Sequence, residues 1–450
     1  MSPRIGLLVL TLVVAACGRA PARPAVAAPP RSQAAAWSVG FWAWPHPANT
    51  RYLPPANGPL VGALYVQVGQ IASAGTGPAP ARWPGALSDA AERWAVWRLD
   101  PDTGRPGAAR AAAIARAFTR LREEARAAGR QVTGLQIDYD CPTEALSSYA
   151  AFLTALAGEL PRTPISITAL LDWFRPGTAI DAVVSRVSEF VPQFYDLRPP
   201  APGAAAIAEP LDPSRWAPVF NRFGVPYRIG ISAYGRVLLD RDSATNILAD
   251  VTLMDLFAGP GIQVVGESPT PAGERRVIVR ALRPVKTVAL SAGEQLQVVL
   301  PTTKSVGDAY RAARALKGWC RGVVFFRWPT EAESATLTPT EVTSALDDNG
   351  EAPSDRVAVS AEDGHCPSRG CWDLVLEPGD RLPADERTFA IRASCEVQYF
   401  LPPSILSARA TLLHRDEVRV QLPAYHGQTR VSIGRVMTAC AARFSVKRIP

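Results

Sequence analysis

Short apolar segments alternate with helical segments from Trp37 to about Thr330, and this alternation constrains the fold more than any other feature. Eight segments have the length and composition of buried strands: residues 38–44, 63–68, 95–99, 133–139, 165–171, 191–195, 227–234 and 322–327. Helical spacing of apolar residues lies between several of them, at 107–128, 143–160 (with Thr143 as the expected cap), 182–190, 213–223 and 305–316. The alternation predicts an α/β fold, a closed parallel (β/α)8 TIM barrel.

Two regions depart from this alternation. Residues 236–303 predict a β-rich insertion between strands seven and eight, with strand-like stretches at 261–266, 275–282, 287–290 and 295–300. After an acidic linker at 341–356, about seven short strand-like segments follow between residues 372 and 449, which is typical of a β-sandwich. We therefore predict a barrel domain at 37–340 and a β-sandwich-like accessory domain at 357–450.

Residues 1–17 have the organisation of a bacterial export signal, because Arg4 precedes an apolar run at 6–14 that is too short to span a membrane. The segment ends in Val-Ala-Ala-Cys-Gly, which resembles a lipobox, whose Cys becomes the lipidated first residue of the mature protein. Residues 18–36, rich in Ala and Pro, predict an extended tether. We expect a lipoprotein anchored in the cell envelope through Cys17, and Gly18 favours the outer membrane by resemblance to lipoprotein sorting. The alternative is a plain secretory signal with an incidental Cys.

Six cysteines follow the signal, at positions 141, 320, 366, 371, 395 and 440. Export permits disulfides, and the four cysteines beyond residue 360 allow three pairings, of which we expect 366–371 and 395–440. Cys141 follows predicted strand four and Cys320 precedes strand eight, so the two should lie at opposite ends of the barrel as free thiols.

Charge and motif content exclude several function classes. The formal charge of +7 comes from scattered Arg, without the basic patch and interleaved aromatic residues that nucleic-acid binding requires. Only four His are present, and no HExxH or paired CxxC motif occurs, so we expect no metal site. No GxxxxGK[ST] or GxGxxG motif occurs either, so we expect no nucleotide cofactor.

In a closed parallel barrel, functional residues follow the carboxyl ends of the strands. These ends collect acids, amides and aromatic side chains, namely Trp42, Trp44, His46, Gln67, Asp100, Asp138, Asp140, Asp172, Gln193, Tyr195, Asp196, Tyr234, Arg327 and Trp328. Carboxylates bond hydroxyl groups and aromatic faces stack on pyranose rings, so the set predicts a carbohydrate ligand. Packing of the tryptophans, a structural role for His46 and loop capping by Tyr195 and Asp196 are the alternatives.

Strand four is the most specific element. Its period of two places Gln136, Asp138 and Asp140 on one side of the strand. Neighbouring carboxylates repel each other, so one of them tends to hold a proton, as a general acid near neutral pH must. A pair of carboxylates that bond loop amides is the alternative.

Strand four also resembles that of the family-18 glycoside hydrolases, the chitinase group, whose D-G-x-D-x-D-x-E motif ends in the acid Glu. Gly134 and Asp138 match the Gly and the last Asp, Asp140 stands where the Glu is expected, and Thr133 and Gln136 replace the two earlier Asp residues. Phe194-Tyr195-Asp196 resembles the Tyr-Asp motif of strand six, and Trp328 resembles the Trp under the cleaved sugar. The whole chain, with FWAWP, LQIDYDCP and QFYD, is similar to a family of bacterial TIM-barrel lipoproteins without an established activity.

Two functions are consistent with these features. The first is an envelope-anchored, glycoside hydrolase-like protein in which Asp140 is the general acid/base, Asp138 stabilises charge and Tyr195 bonds the sugar. The second is a glycan-binding or scaffold lipoprotein that retains the barrel but does not catalyse hydrolysis, since Asp140 is one methylene shorter than the Glu of the motif.

Overall fold

The computed structural model describes residues 37–44, 61–71, 90–101, 104–195, 197–198, 207–241, 244–247, 262–284, 290–328, 336–337, 339–346, 357–363, 370–378, 387–401, 409–422 and 431–449. The predicted signal, the tether and the lipidated Cys17 lie outside these residues, as do His46, Asp196 and Cys366. Within the described residues, no helix combines the length and the apolar character needed to cross a membrane.

The described elements comprise strands and helices, named here in chain order. The strands are β1 (Ser38–Ala43), β2 (Ala63–Ile71), β3 (Glu92–Leu99), β4 (Gly134–Tyr139), β5 (Ile165–Ala169), β6 (Glu189–Pro192), β7 (Leu197–Arg198), β8 (Ile207–Ala208), β9 (Tyr227–Ser232), β10 (Arg236–Arg241), β11 (Ala244–Ile247), β12 (Ile262–Pro269), β13 (Arg275–Ala281), β14 (Gln295–Leu300), β15 (Cys320–Phe326), β16 (Val357–Asp363), β17 (Cys371–Pro378), β18 (Arg387–Ala393), β19 (Val397–Leu401), β20 (Arg409–His414), β21 (Glu417–Leu422), β22 (Val431–Thr438) and β23 (Phe444–Ile449). The α-helices are α1 (Ala108–Ala127), α2 (Leu146–Glu159), α3 (Ile180–Val184), α4 (Pro213–Asn221), α5 (Thr303–Ala315) and α6 (Pro339–Leu346).

Eight of these strands form a closed parallel barrel in the order β1-β15-β9-β6-β5-β4-β3-β2, which confirms the predicted fold class. Strands β4 and β5 are buried at every position, as expected of parallel strands covered on both faces. Strand β15 closes the barrel against β1 by pairing Gly322 with Ser38. A Cβ atom at Gly322 would lie 1.9 Å from the carbonyl oxygen of Ser38, so the closing contact requires glycine.

The helices differ from the sequence predictions at two points. Thr143 does not cap a helix with its side chain, because it begins a short 3₁₀ helix (Thr143–Ala145) that leads into α2. The helix predicted at 182–190 is the five-residue α3, and Phe190 belongs to strand β6. Phe190 is fully buried beside the rings of Phe174 and Phe220, so tertiary packing selects the strand there.

The insertion between the seventh and eighth barrel strands is an antiparallel sheet of five strands in the order β11-β10-β14-β13-β12. This confirms its predicted β-rich character and the strands near 261–266, 275–282 and 295–300. The prediction missed β10 and β11. Most of the stretch predicted at 287–290 lies outside the described residues.

The carboxyl-terminal strands form two antiparallel sheets of four strands, β16-β17-β22-β19 and β20-β21-β18-β23. Leu374 and Val436 of the first sheet share a buried core with Phe389, Ile391 and Val418 of the second. Two sheets with a common core are a β-sandwich, as the sequence predicted. Strand β16 was not predicted.

The cysteines follow the predicted arrangement where they are described. A disulfide joins Cys395 to Cys440, as predicted. Cys371 is also disulfide-bonded, although its predicted partner lies outside the described residues. Cys141 and Cys320 are buried free thiols, as predicted.

Candidate functional site

The carboxyl ends of β3 and β4 bring a guanidinium and a carboxylate together inside the barrel. Arg98 and Asp138 are direct neighbours in the β3–β4 register. Arg98 Nη1 lies 3.6 Å from Asp138 Oδ2, and Thr168 of β5 donates a hydrogen bond of 2.8 Å to Asp138 Oδ1. Both oxygens of Asp138 therefore have a partner in the barrel wall.

Asp138 is a buried acid, with only 4% of its surface exposed. Burial raises the pKa of Asp138 above its ordinary value, and the opposing effects of Arg98 and of the Thr168 hydrogen bond do not cancel this rise. Asp138 is thus the member of the predicted acid pair that holds its proton to higher pH than an Asp in water.

This pKa shift predicts how Asp138 contributes to stability. The folded protein retains the proton to a higher pH than the unfolded chain, so the contribution is complete below about pH 3.9 and is lost as pH rises through the raised pKa. We expect Asp138→Asn, which cannot ionise, to gain stability relative to the wild type between pH 3.5 and pH 7, as measured by denaturant unfolding.

Asp212 offers a control of opposite sign. Its side chain caps α4 and accepts hydrogen bonds from Ser214, which lower its pKa. Asp212→Asn should therefore lose stability relative to the wild type over the same rise in pH. A pH-independent difference for Asp138→Asn would contradict the buried-acid interpretation.

Arg98 is the centre of the polar rim, and the sequence reasoning did not select it. Its Nε lies 3.5 Å from Asp100 Oδ1, and Gln70 donates hydrogen bonds of 3.0 Å to both oxygens of Asp100. Burial lowers the pKa of Arg98. The nearby carboxylates of Asp138, Asp140 and Asp100 outweigh this effect, so the pKa of Arg98 is raised overall. The signal that identifies Arg98 is its place in β3, two positions after the inward-facing Val96.

Asp140 lies one residue beyond β4 and is half-buried, whereas Asp138 is enclosed. Its carboxylate is close enough to raise the pKa of Arg98. Burial chiefly raises the pKa of the Cys141 thiol to about 12, and the Asp140 carboxylate adds to this rise. The two acids thus differ in environment, as required of two carboxylates with different roles.

Aromatic rings converge at the same end of the barrel. Tyr195 stacks on Phe326 with ring centroids 4.8 Å apart, and Trp44 meets Phe326 edge-on at 5.6 Å. Trp42 is fully buried and meets Tyr195 edge-on at 5.8 Å. Gly230 leaves room for them, since a Cβ atom there would lie 3.1 Å from Tyr195 and 3.2 Å from Trp42. We call Trp42, Trp44, Tyr195, Tyr234 and Phe326 the rim aromatic cluster.

Trp328 is not part of this cluster. It is 7% exposed and packs edge-on against Phe41, in the apolar core on the other face of β1. Phe326, two residues earlier, faces the barrel interior instead. Trp328 lies two residues beyond the end of β15, so the strand alternation that turns Phe326 inward does not extend to it. The predicted residue therefore packs outside the barrel interior.

Trp173 and Asp172 are also separate from the cluster. Trp173 is fully buried and donates a hydrogen bond of 3.0 Å to the carbonyl oxygen of Cys141, so it packs in the core. Asp172 forms an ion pair with Arg175, three residues further along the chain.

The remaining predicted residues are near the rim by strand position. Gln67 is half-buried in β2 on the same face as Tyr65, and Gln193 is 5% exposed just after β6. Tyr234 meets Phe326 edge-on at 5.7 Å, and the guanidinium of Arg327 lies 5.1 Å from the ring of Tyr234.

Below the rim, a chain of hydrogen bonds crosses the barrel interior. Trp42 Nε1 donates a bond of 2.7 Å to Gln136, which donates one of 3.1 Å to Ser166, which in turn donates one of 3.0 Å to Glu189. Gln136 therefore lies on the predicted inner face of β4, but it supports Trp42 rather than opening to the rim.

The chain ends in a buried ion pair that the sequence reasoning missed. Arg228 of β9 bonds Glu189 of β6, and both side chains are almost fully buried. Tyr65 donates a hydrogen bond of 2.6 Å to Glu189, while Arg228 also reaches Glu92 at 2.6 Å. The signal was present in the sequence, because Glu189 and Arg228 are charged residues at inward positions of otherwise apolar strands.

Among the described residues, no group of three or more His, Cys, Asp or Glu side chains could hold a metal ion. The rim offers carboxylates, the guanidinium groups of Arg98 and Arg327, and aromatic rings. Such groups can bond hydroxyl groups and exchange protons.

Comparisons with known proteins give a partial family match. The family model described as a domain of unknown function, DUF3142, matches residues 90–264, and no curated protein matches the chain. The chain is similar in structure to the spore cortex-lytic enzyme SleL of Bacillus cereus, at 13% identity over 70% of this chain and 75% of that chain, with a TM-score of 0.43. Chitinase ChiW of Paenibacillus sp. FPU-7 is 11% identical over 90% of this chain and 54% of that one (TM-score 0.42), and a chitinase of Trichuris suis is 11% identical over 65% and 92% (TM-score 0.42). The match to DUF3142 spans β3 and β4, which carry Arg98 and Asp138, and the turn after β6 that carries Tyr195.

Proposed function

We propose that the barrel rim binds a carbohydrate polymer and hydrolyses its glycosidic bonds, with Asp140 as the general acid/base. One observation carries the proposal, namely that acids in two different environments and the rim aromatic cluster meet at the carboxyl end of one closed barrel. This is the end at which barrel enzymes place their catalytic groups.

The environments of the two acids suggest a division of work. Asp138 is enclosed and held by Arg98 and Thr168, so it suits a fixed electrostatic or orienting role. Asp140 is half-buried and beyond the strand, so it can reach a bound substrate and transfer a proton. Arg98 would set the charge balance between them, since it interacts with both carboxylates.

The aromatic cluster favours a sugar over other hydroxyl-bearing ligands. Trp44, Tyr195 and Phe326 are half-buried rather than enclosed, so part of their surface is left for a ligand. Apolar faces beside carboxylates match the alternating apolar and hydroxylated faces of a pyranose ring.

A second candidate function is glycan binding without hydrolysis. The short side chain of Asp140 favours it, because displacement of a catalytic group by about 1 Å can cost about a hundredfold in rate. Both candidates use the same rim and differ only in whether a glycosidic bond is broken.

The deciding experiment measures binding and turnover on the same glycans. The purified protein is incubated with envelope, capsule, plant and chitin-type polysaccharides, and both retention on the polymer and release of new reducing ends are recorded. Release of reducing ends supports hydrolysis, and retention without release supports the second candidate. Neither retention nor release across the panel would contradict both.

Trp44→Ala locates the binding surface. We expect it to weaken glycan binding about tenfold, since a lost aromatic contact is worth roughly 1 kcal/mol or more. Trp319→Ala is the matched control, because Trp319 is exposed at the opposite end of the barrel, just before β15. Equal losses in the two variants would remove the rim as the binding surface.

We propose that this activity takes place at the cell envelope. The anchor is the predicted lipidation of Cys17, with residues 18–36 as the tether between the membrane and the barrel. Anchoring would keep the rim close to envelope polysaccharides.

A further inference from the structure

A cavity lies outside the barrel interior, between the insertion and helix α5. It has a volume of about 310 Å³. Its walls come from the β12–β13 turn, the ends of β6 and β9, the start of the segment before α4, and one face of α5. The volume is at the lower end of the range for small-molecule sites, so the cavity suits a small ligand rather than a polymer.

One of the residues that line the cavity has a carboxylate oxygen without a hydrogen bond. Glu274 is 4% exposed and lines the cavity. Its Oε1 is paired with Arg236, while its Oε2 is buried and has no hydrogen-bond partner among the described residues. A buried acceptor without a donor costs about 1–3 kcal/mol, and more when it is charged, so a donor from a ligand or from water is needed at this position.

The position of Glu274 is fixed by its surroundings. Its backbone N–H donates a hydrogen bond of 3.1 Å to Thr270, which closes the turn. Arg236 is 3% exposed and also donates a bond of 2.9 Å to the carbonyl oxygen of Tyr195. The carboxylate is therefore held in place before any ligand arrives. Through Arg236, it is also connected to the backbone of Tyr195, a member of the rim aromatic cluster.

The charges around the cavity favour an uncharged ligand. Each of its acids already has a cationic partner: Glu274 pairs with Arg236, Asp308 with Lys304 and Arg311, and Glu209 with Arg215. A cationic ligand would meet no uncompensated negative charge, whereas a hydroxyl group can donate to Glu274 Oε2 without changing the charge balance. Phe194, Ile231 and Ala312 add apolar side chains to the cavity lining.

We propose that this cavity is a binding site for a small, neutral, polyhydroxylated molecule such as a monosaccharide, with Glu274 Oε2 accepting a ligand hydroxyl. The site is separate from the rim and does not depend on the proposed hydrolysis. Ser232 and Ser305, which also line the cavity, add hydroxyl groups near the ligand.

Ligand-observed NMR with glucose as the probe tests the proposal on the full chain, and glucosamine serves as its cationic counterpart. We expect saturable binding of glucose, with weaker binding of glucosamine at a pH where its amine is protonated. Absence of glucose binding to the folded protein would overturn the proposal, since water would then satisfy Glu274. Tighter binding of glucosamine would overturn the assignment of a neutral ligand.

Two variants assign the binding to this cavity. Ala312→Leu fills the cavity from α5 and leaves the Glu274–Arg236 pair intact, so it should abolish glucose binding without unfolding the protein. Ala315→Leu, on an exposed position of the same helix, is the matched control and should bind as the wild type does. Glu274→Gln should weaken binding about tenfold. Binding that survives Ala312→Leu would place the sugar elsewhere and overturn the proposal.

Discussion

The Arg228→Met variant is expected to lose about 3–5 kcal/mol of unfolding free energy, the cost of leaving one partner of a buried ion pair without the other. Arg228 and Glu189 are both almost fully buried, and Glu189 also accepts hydrogen bonds from Tyr65 and Ser166. Methionine restores part of the lost volume but none of the charge. Denaturant unfolding followed by circular dichroism measures the loss.

Two further variants separate charge from packing. Adding Glu189→Gln to Arg228→Met removes the uncompensated charge, retains an acceptor for Tyr65, and should recover most of the lost stability. Arg222→Met is the surface control, because Arg222 and its partner Asp181 are largely exposed, and it should change stability by less than about 1 kcal/mol. Similar losses for Arg228→Met and Arg222→Met would contradict the role of burial.

The loss should also depend on pH. Burial raises the pKa of Glu189, and Arg228 opposes this rise in the wild type. Without Arg228, Glu189 avoids the free-energy cost of a buried, unpaired charge by taking up a proton. The difference between Arg228→Met and the wild type should therefore shrink as pH falls, and a difference that grows at low pH would contradict this account.

The Asp140→Asn variant is expected to lose turnover by about 10²–10⁴-fold on any glycan that the wild type hydrolyses, since this is the usual contribution of a general acid or base. Asparagine has nearly the same shape but transfers no proton, so binding should remain. Comparing the single-turnover rate with the dissociation constant for the same glycan separates the two effects.

Asp181→Asn is the matched control, since Asp181 is an exposed carboxylate at the start of α3 and should leave turnover unchanged. Asp140→Glu tests the length of the side chain, and an increase in rate would indicate that the shorter acid limits catalysis. Turnover that survives Asp140→Asn would remove the acid/base assignment, leaving the rim as a binding surface with another catalytic group.

The fold was largely predictable because its signal is local. Each barrel strand is an apolar run buried on both faces, and seven of the eight observed strands lie close to their predicted bounds. The sixth is displaced toward the amino terminus because Phe190 packs among aromatic rings from distant segments, which helical spacing in the sequence does not reveal. Strands β10 and β11 were missed. They pair with each other in a short hairpin, and β10 also pairs with β14, which is distant in sequence.

The site was less predictable because it depends on which face of a strand each residue occupies. The two-residue period correctly placed Gln136 and Asp138 inside the barrel. It failed for Trp328, which lies beyond the end of β15, where the strand period no longer holds, and packs outside the barrel interior. Arg98 was overlooked because an isolated Arg at a strand end carries no motif. Its importance comes from the β3–β4 register, which sets it beside Asp138.

The contact between Gly322 and Ser38 has a consequence for how the barrel assembles. The first strand can pair with β2 early, but its other edge stays open until the last barrel strand, almost the whole barrel sequence later, is available. During synthesis, β1 is therefore an unpaired strand edge for as long as the insertion and the preceding helices take to emerge, and such edges promote association between chains. The edge of β1 is covered only when β15 pairs with it, and Gly322 is the residue that permits this close pairing.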